Sequence, residues 1–155
     1  MSYCKSLLDK VKEITGKNVI PKYIHESPLN NGFSVFIDTD TIYVDTDLFN
    51  EYNLLFLIHE VGHWLEATDE QRLLPNIGLP IVDEENPPEE VLIREIRARE
   101  YSRLYFEHWA NENLTGHQLD YVNYLFNNIF DDFEKDLDMK GILNQIREET
   151  LGEMV

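Results

Sequence analysis

The sequence is short of sulfur, of basic charge and of long apolar stretches, and each shortage excludes something. Its 155 residues include one cysteine, Cys4. A lone thiol cannot close an internal disulfide, which excludes a disulfide-stapled secreted scaffold and fits a reducing compartment. Lysine and arginine number 13 against 30 aspartates and glutamates, a formal charge of −17. Such a surface repels phosphate backbones and anionic lipids, so neither nucleic acid nor a membrane is expected as a partner. A basic protein or peptide suits it better. The apolar run Leu54-Leu55-Phe56-Leu57-Ile58 is far below the roughly 20 residues that span a bilayer. Met1 to Lys5 leads into a segment charged at Asp9, Lys10, Lys12 and Glu13, with no signal-peptide core. A cytoplasmic location is therefore the expectation.

What is present suffices for a core. At 43% hydrophobic and 12% aromatic residues, the chain can fold as one ordered domain spanning 1–155. Leu7, Leu8, Val11 and Ile14 recur at helical spacing and predict a helix over 6–15 that Gly16 ends. Asn18-Val19-Ile20 and Lys22-Tyr23-Ile24-His25 are short extended candidates. A turn cluster at 28–32 precedes two β-rich runs, 33–37 and 41–44. Asp38-Thr39-Asp40 between them reads as a hairpin loop. The Asp-Thr-Asp triplets at 38–40 and 45–47 lack the spaced ligands and glycine of a calcium loop, so turn chemistry accounts for them. Asn50 or Asn53 caps a helix that runs to about Ala67. Residues 68–90 read as a long loop able to wall a cleft. A second long helix follows, from Glu89 or Glu90 to about Asn111. After a break at 113–116, Leu119 to Leu137 marks an amphipathic helix. Gly141 should interrupt, and 142–151 forms a last short helix. The class is α+β, mostly helical, with a short β-hairpin before the helix at 54–67.

That helix carries His59-Glu60-Val61-Gly62-His63, an H-E-x-x-H pattern. Residues four apart on a helix share a face, so both imidazoles can point at one cation. Glu60 lies a little round the helix, in reach of a water on that cation but not of the cation itself. The pattern is that of a zinc peptidase, with Glu60 as general base. Two histidines and a glutamate among Leu and Phe are costly to bury unless something satisfies them.

A catalytic zinc takes three protein ligands. The candidates for the third are Asp69, Glu95, Glu100, His108 and His117. On a helical wheel for 91–109, Arg99, Glu100, Arg103 and Glu107 gather on one side, which should face water. The opposite arc holds Val91, Ala98, Tyr101, Ser102, Tyr105 and Trp109, and Glu95 lies inside it. A carboxylate there needs a cation or a strong donor. Small Ala98 and Ser102 also permit close approach to the His59 helix. Glu95 is therefore the expected third ligand, with an ion pair to Arg94, Arg99 or another buried donor as the rival explanation. Asp69 would complete a metzincin-type extension, but Glu66 stands where that extension needs a turning glycine.

With these residues in hand, the chain resembles the ImmA/IrrE-like family of small zinc peptidases. That family follows a β-hairpin with an H-E-x-x-H helix, and a later helix carries a pattern close to E-x-E-A-N-x-F-A. Here the elements are Leu57-Ile58-His59-Glu60-Val61-Gly62-His63 and Glu95-Ile96-Arg97-Ala98-Arg99-Glu100-Tyr101-Ser102. Glu95, Ala98, Tyr101 and Ser102 match. Arg97 and Arg99 replace the family's Glu and Asn. The resemblance covers roughly 33–106. It implies a zincin-like, gluzincin-like domain that holds Zn²⁺ through His59, His63 and Glu95. It also implies cleavage of a protein substrate, such as a repressor-type regulator; several members occur in phages and mobile elements. The rival function is an acidic zincin-fold binding or inhibitor protein, such as a nucleic-acid mimic, without catalysis.

Overall fold

The computed structural model describes residues 3–23, 35–37, 41–51, 53–73, 89–127 and 139–154. The elements are α1 (Cys4–Thr15), β1 (Asn18–Lys22), β2 (Val35–Ile37), β3 (Thr41–Asp45), α2 (Leu57–Glu66), α3 (Asp69–Arg72), α4 (Glu89–Asn113), α5 (Gly116–Asn127) and α6 (Met139–Met154). The class is α+β and mostly helical, as the sequence predicts. The anticipated positions Ile24 and His25, the turn at 28–32, the hairpin loop at 38–40, the loop at 74–88 and the helix beyond 127 lie outside the described residues.

The sheet has the order β1-β3-β2. β2 pairs antiparallel with β3, Phe36 opposite Tyr43, which is the expected hairpin pairing. β1 adds a parallel partner on the other side, with Ile20 opposite Tyr43 and Pro21 opposite Val44. Proline ends the extended piece in the sequence reading, yet here it sits inside β1. An edge strand tolerates it, because one side of the strand donates to no ladder. β3 is central, and its alternate residues Ile42 and Val44 are wholly buried.

α1 stops where Gly16 adopts φ 73°, a left-handed conformation in which its N–H reaches the Lys12 carbonyl at 2.8 Å. Its Leu7 and Val11 join Ile42, Val44, Leu54, Leu57, Ile58, Val61, Phe106 and Phe126 in the main core. α2 enters this core through a 3₁₀ turn, Leu54–Phe56. Asn50, rather than Asn53, supplies the side-chain acceptor, taking the Asn53 N–H at 3.1 Å. α2 leaves at Ala67, as its sequence pattern predicts.

Two expectations are corrected here. Residues 68–72 are not loop: Thr68 and Gln71 form a capping box, with bonds of 2.8 and 3.1 Å, that opens the short helix α3. From α3, Arg72 donates back to the carbonyls of Trp64 at 2.9 Å and Leu65 at 3.4 Å and lies over the Trp64 ring, so it caps the end of α2. Nor does Gly141 interrupt the last helix, since α6 runs through it from Met139. Glycine in a helix costs about 1 kcal/mol relative to alanine, and packing outweighs that here. Ile142 and Ile146 form a second apolar cluster with Ile96 and Tyr101 of α4.

α6 is also tied to α4 by charge. Glu149 accepts from Arg97 Nη2 at 2.6 Å and from the Tyr101 hydroxyl at 2.7 Å. Burial alone would raise the Glu149 carboxyl, but these two donors outweigh it and hold it below its ordinary 4.5. The stabilisation from a depressed carboxyl is complete above that ordinary value and is lost as pH falls through the folded one. Glu149→Gln is therefore expected to be less stable than wild type near neutral pH and to lose that gap in acid, well below the ordinary carboxylate value. Denaturant titrations at neutral and acid pH measure this, and a gap that stays constant would show that the Glu149 charge does not anchor α6.

Candidate metal centre

α2 and α4 touch where Gly62 faces Ala98 and Ser102. A Cβ on Gly62 would overlap the Ala98 carbonyl oxygen and lie 3.0 Å from the Ala98 carbonyl carbon and 3.1 Å from the Ser102 Cβ. Only hydrogen at this position lets the backbones come so near. Ala98 and Ser102 are fully buried, so the small residues on α4 do permit the close approach anticipated for them.

That approach puts Glu95 against both histidines. One oxygen, Glu95 Oε2, lies 2.9 Å from His59 Nε2 and 3.0 Å from His63 Nε2. The two rings meet edge to face, with centroids 4.6 Å apart. The two imidazoles and the carboxylate offer three ligand atoms within 4.8 Å of one another. A tetrahedral zinc with bonds near 2.0–2.1 Å separates its ligand atoms by about 3.3 Å. The two nitrogen-to-oxygen separations need open by only a few tenths of an ångström to meet that spacing. Nitrogen and carboxylate donors suit zinc, and suit other first-row divalent ions nearly as well.

Without a metal, the three groups satisfy each other. Each imidazole can donate its Nε2–H to the shared oxygen. Neither His59 Nδ1 nor His63 Nδ1, both buried, has a hydrogen-bond partner among the described residues. Burial opposes a charge on His63, but the Glu95 hydrogen bond and the charges of Glu95, Glu60 and Glu66 outweigh it and hold the ring above its ordinary 6.5. Burial would raise Glu95; the hydrogen bonds from His59 and His63 dominate and hold it far below the usual carboxylate range. A metal entering here displaces protons that the carboxylate now holds in place. The side chains remain 13%, 6% and 19% exposed for His59, His63 and Glu95, so the cluster is reachable from one side.

Glu60 is half-buried, just round the helix from His59. Tyr121 of α5 senses it: burial first, then the Glu60 charge and then Tyr124, raise the Tyr121 phenol. Nothing in the sequence marks Tyr121, because α2 and α5 meet only in the fold.

The other candidate ligands go elsewhere. Asp69 is fully exposed and pairs with Arg72 at 3.2 Å. Glu100 lies between Arg99 and Arg103, each 3.3 Å away. His108 is exposed and pairs with Glu112 at 2.9 Å, and His117 is exposed. Arg99 departs from the wheel. It is buried rather than water-facing, its long side chain packing while its head group meets Glu100.

The rival ion pair for Glu95 is not formed with Arg94 either, because Arg94 serves Glu66. Glu66, with a side chain only 2% exposed, accepts from Arg94 Nε at 2.8 Å and Arg97 Nε at 3.4 Å. This clamp was missed at the sequence level, where Glu66 registers only as the wrong residue for a metzincin turn. Its signal was the placement of a carboxylate one turn beyond His63 on a buried face.

Substituting alanine at Gly62 tests the contact. On an open helix the change would stabilise by about 1 kcal/mol. Here the helices must part, so Gly62→Ala should cost about 1–3 kcal/mol in a denaturant titration. It should also weaken metal uptake, and a gain in stability would show that α2 and α4 do not touch there. Comparison with known proteins brings no relative to this cluster: no protein-family model, no curated protein and no solved structure matches the chain.

Proposed function

We propose that the chain is a zinc metallopeptidase of the H-E-x-x-H type on a zincin-like scaffold, hydrolysing a peptide bond in a protein substrate. The observation that carries this reading is the convergence of His59 Nε2, His63 Nε2 and Glu95 Oε2, with Glu60 beside them on α2. His59, His63 and Glu95 would hold Zn²⁺. Bound there, zinc supplies Lewis acidity to a substrate carbonyl and to the attacking water. Glu60 takes the proton of that water and passes it to the leaving amine, acting first as base and then as acid. Its place next to His59 puts it about 100° round the helix, so its carboxylate stands beside the ligand face and stays free for proton transfer. The formal charge of −17 favours a substrate segment rich in lysine or arginine. The resemblance to ImmA/IrrE-like peptidases supports a regulatory protein as that substrate.

Protein purified without added metal should carry about one zinc per chain by elemental analysis. Glu95→Ala should lose most of it, and unchanged zinc there would remove Glu95 from the ligand set. Glu60→Gln should keep its zinc. Its cleavage of a diverse peptide library, read by mass spectrometry, should fall by at least about 100-fold. Full activity in Glu60→Gln would end its role as base. Zinc uptake with no cleavage by wild type would favour the acidic binding protein instead.

A further inference from the structure

The structure contains a second exchange of charge between α2 and α4, beside the ligand cluster and linked to α6. Glu95 reaches from α4 to two residues of α2, one turn apart. Glu66 reaches from α2, one turn beyond His63, to Arg94 and Arg97, which flank Glu95. Arg97 divides its guanidinium between two carboxylates. Its Nε–H goes to Glu66 at 3.4 Å and its Nη2–H to Glu149 of α6 at 2.6 Å. Its Nη1 is buried and has no hydrogen-bond partner among the described residues. The arginine is thus held by position between the two acids rather than by a full set of acceptors. Tyr101, one turn further along α4, donates to the same Glu149 oxygen.

We infer that Glu149, acting through Arg97 and Glu66, is a positioning residue for the metal centre, so that docking of the C-terminal helix α6 sets the affinity of the site for Zn²⁺. The inference rests on the metal reading above and adds a control on it. Among the described residues, Glu66 and Glu149 both engage Arg97 beside the ligands. Removing the Glu149 charge takes one of the two carboxylates from Arg97 and leaves its positive charge less compensated beside the site, which opposes binding of a divalent ion. It also frees Arg97 from one of its two anchors. The arginine can then draw Glu66 away from Arg94 and shift α4 relative to α2, and with it Glu95 relative to His59 and His63. Residues that support ligands in this way typically change metal affinity by 10–100-fold. Arg97 stands where the resembling family has Glu, so this link belongs to the present chain.

The test is Zn²⁺ affinity by competition with a chromophoric chelator, well below the melting temperature, on the full chain. Co²⁺ absorption reports ligand geometry in parallel. Glu149→Gln should bind Zn²⁺ about tenfold more weakly than wild type and alter the Co²⁺ spectrum. Glu149→Asp, which keeps the charge, should recover most of the loss. Arg97→Lys keeps its charge but cannot bridge two carboxylates, and should weaken binding likewise. If Glu149 merely fastened α6, Glu149→Gln would lower the melting temperature and leave both metal readouts unchanged, which would overturn the inference. Unchanged affinity in Arg97→Lys would overturn it even if Glu149→Gln failed to fold. A wild-type chain that takes up no Zn²⁺ would overturn the metal reading and this inference together. Wild-type uptake with unaltered variants would overturn this inference alone.

Discussion

Everything around the candidate centre depends on one steric fact, the contact between Gly62 and the Ala98–Ser102 stretch of α4. A helix pair separated by ordinary side chains would leave Glu95 too far from His59 and His63 to touch both. With a hydrogen at position 62, the backbones meet and one carboxylate oxygen falls between two ring nitrogens. The same closeness lets Glu66 cross in the other direction to Arg94 and Arg97. The two carboxylates cross between the helices in opposite directions and hold them against sliding.

The electrostatics follow from that packing. Buried ion pairs are not a cheap source of stability, since desolvation offsets much of their attraction; breaking one by removing a single partner costs about 3–5 kcal/mol. The Glu66 clamp is best understood as a device for register. Arg94 and Arg97 are kept from Glu95 by being engaged elsewhere, which leaves the Glu95 carboxylate to the imidazoles. The opposed shifts of His63 and Glu95 describe a proton-bridged cluster that a divalent cation could replace.

Much of the site could be read from residue order because its parts are local to single helices. The His59 and His63 spacing places both rings on one face by helical geometry alone, and the wheel for α4 puts Glu95 in the apolar arc. The β2–β3 pairing, the Gly16 stop and the bounds of α4 follow from short-range rules of the same kind. Even the capping box at Thr68 and Gln71 was legible, being a T-x-x-Q spacing, although the surrounding prolines and acids suggest loop. The wheel failed for Arg99, since angular position does not reveal whether a long side chain finds a partner below the surface. At Gly141, the local rule yielded to the packing of Ile142 and Ile146 against α4.

Sequence alone determined which side chains could act together within a turn or two: the histidine pair, the neighbouring Glu60 and the inward-facing Glu95. Only the tertiary structure decided which distant groups each would meet. It sent Glu66 to two arginines rather than to a turn, left Asp69 in water, and joined Arg97 to α6 through Glu149. It also gave Gly62 its role, because a missing side chain has meaning only once a second backbone lies against it. Helical periodicity is written into the order of residues, whereas the pairing of buried charges depends on which helices are brought together and how closely.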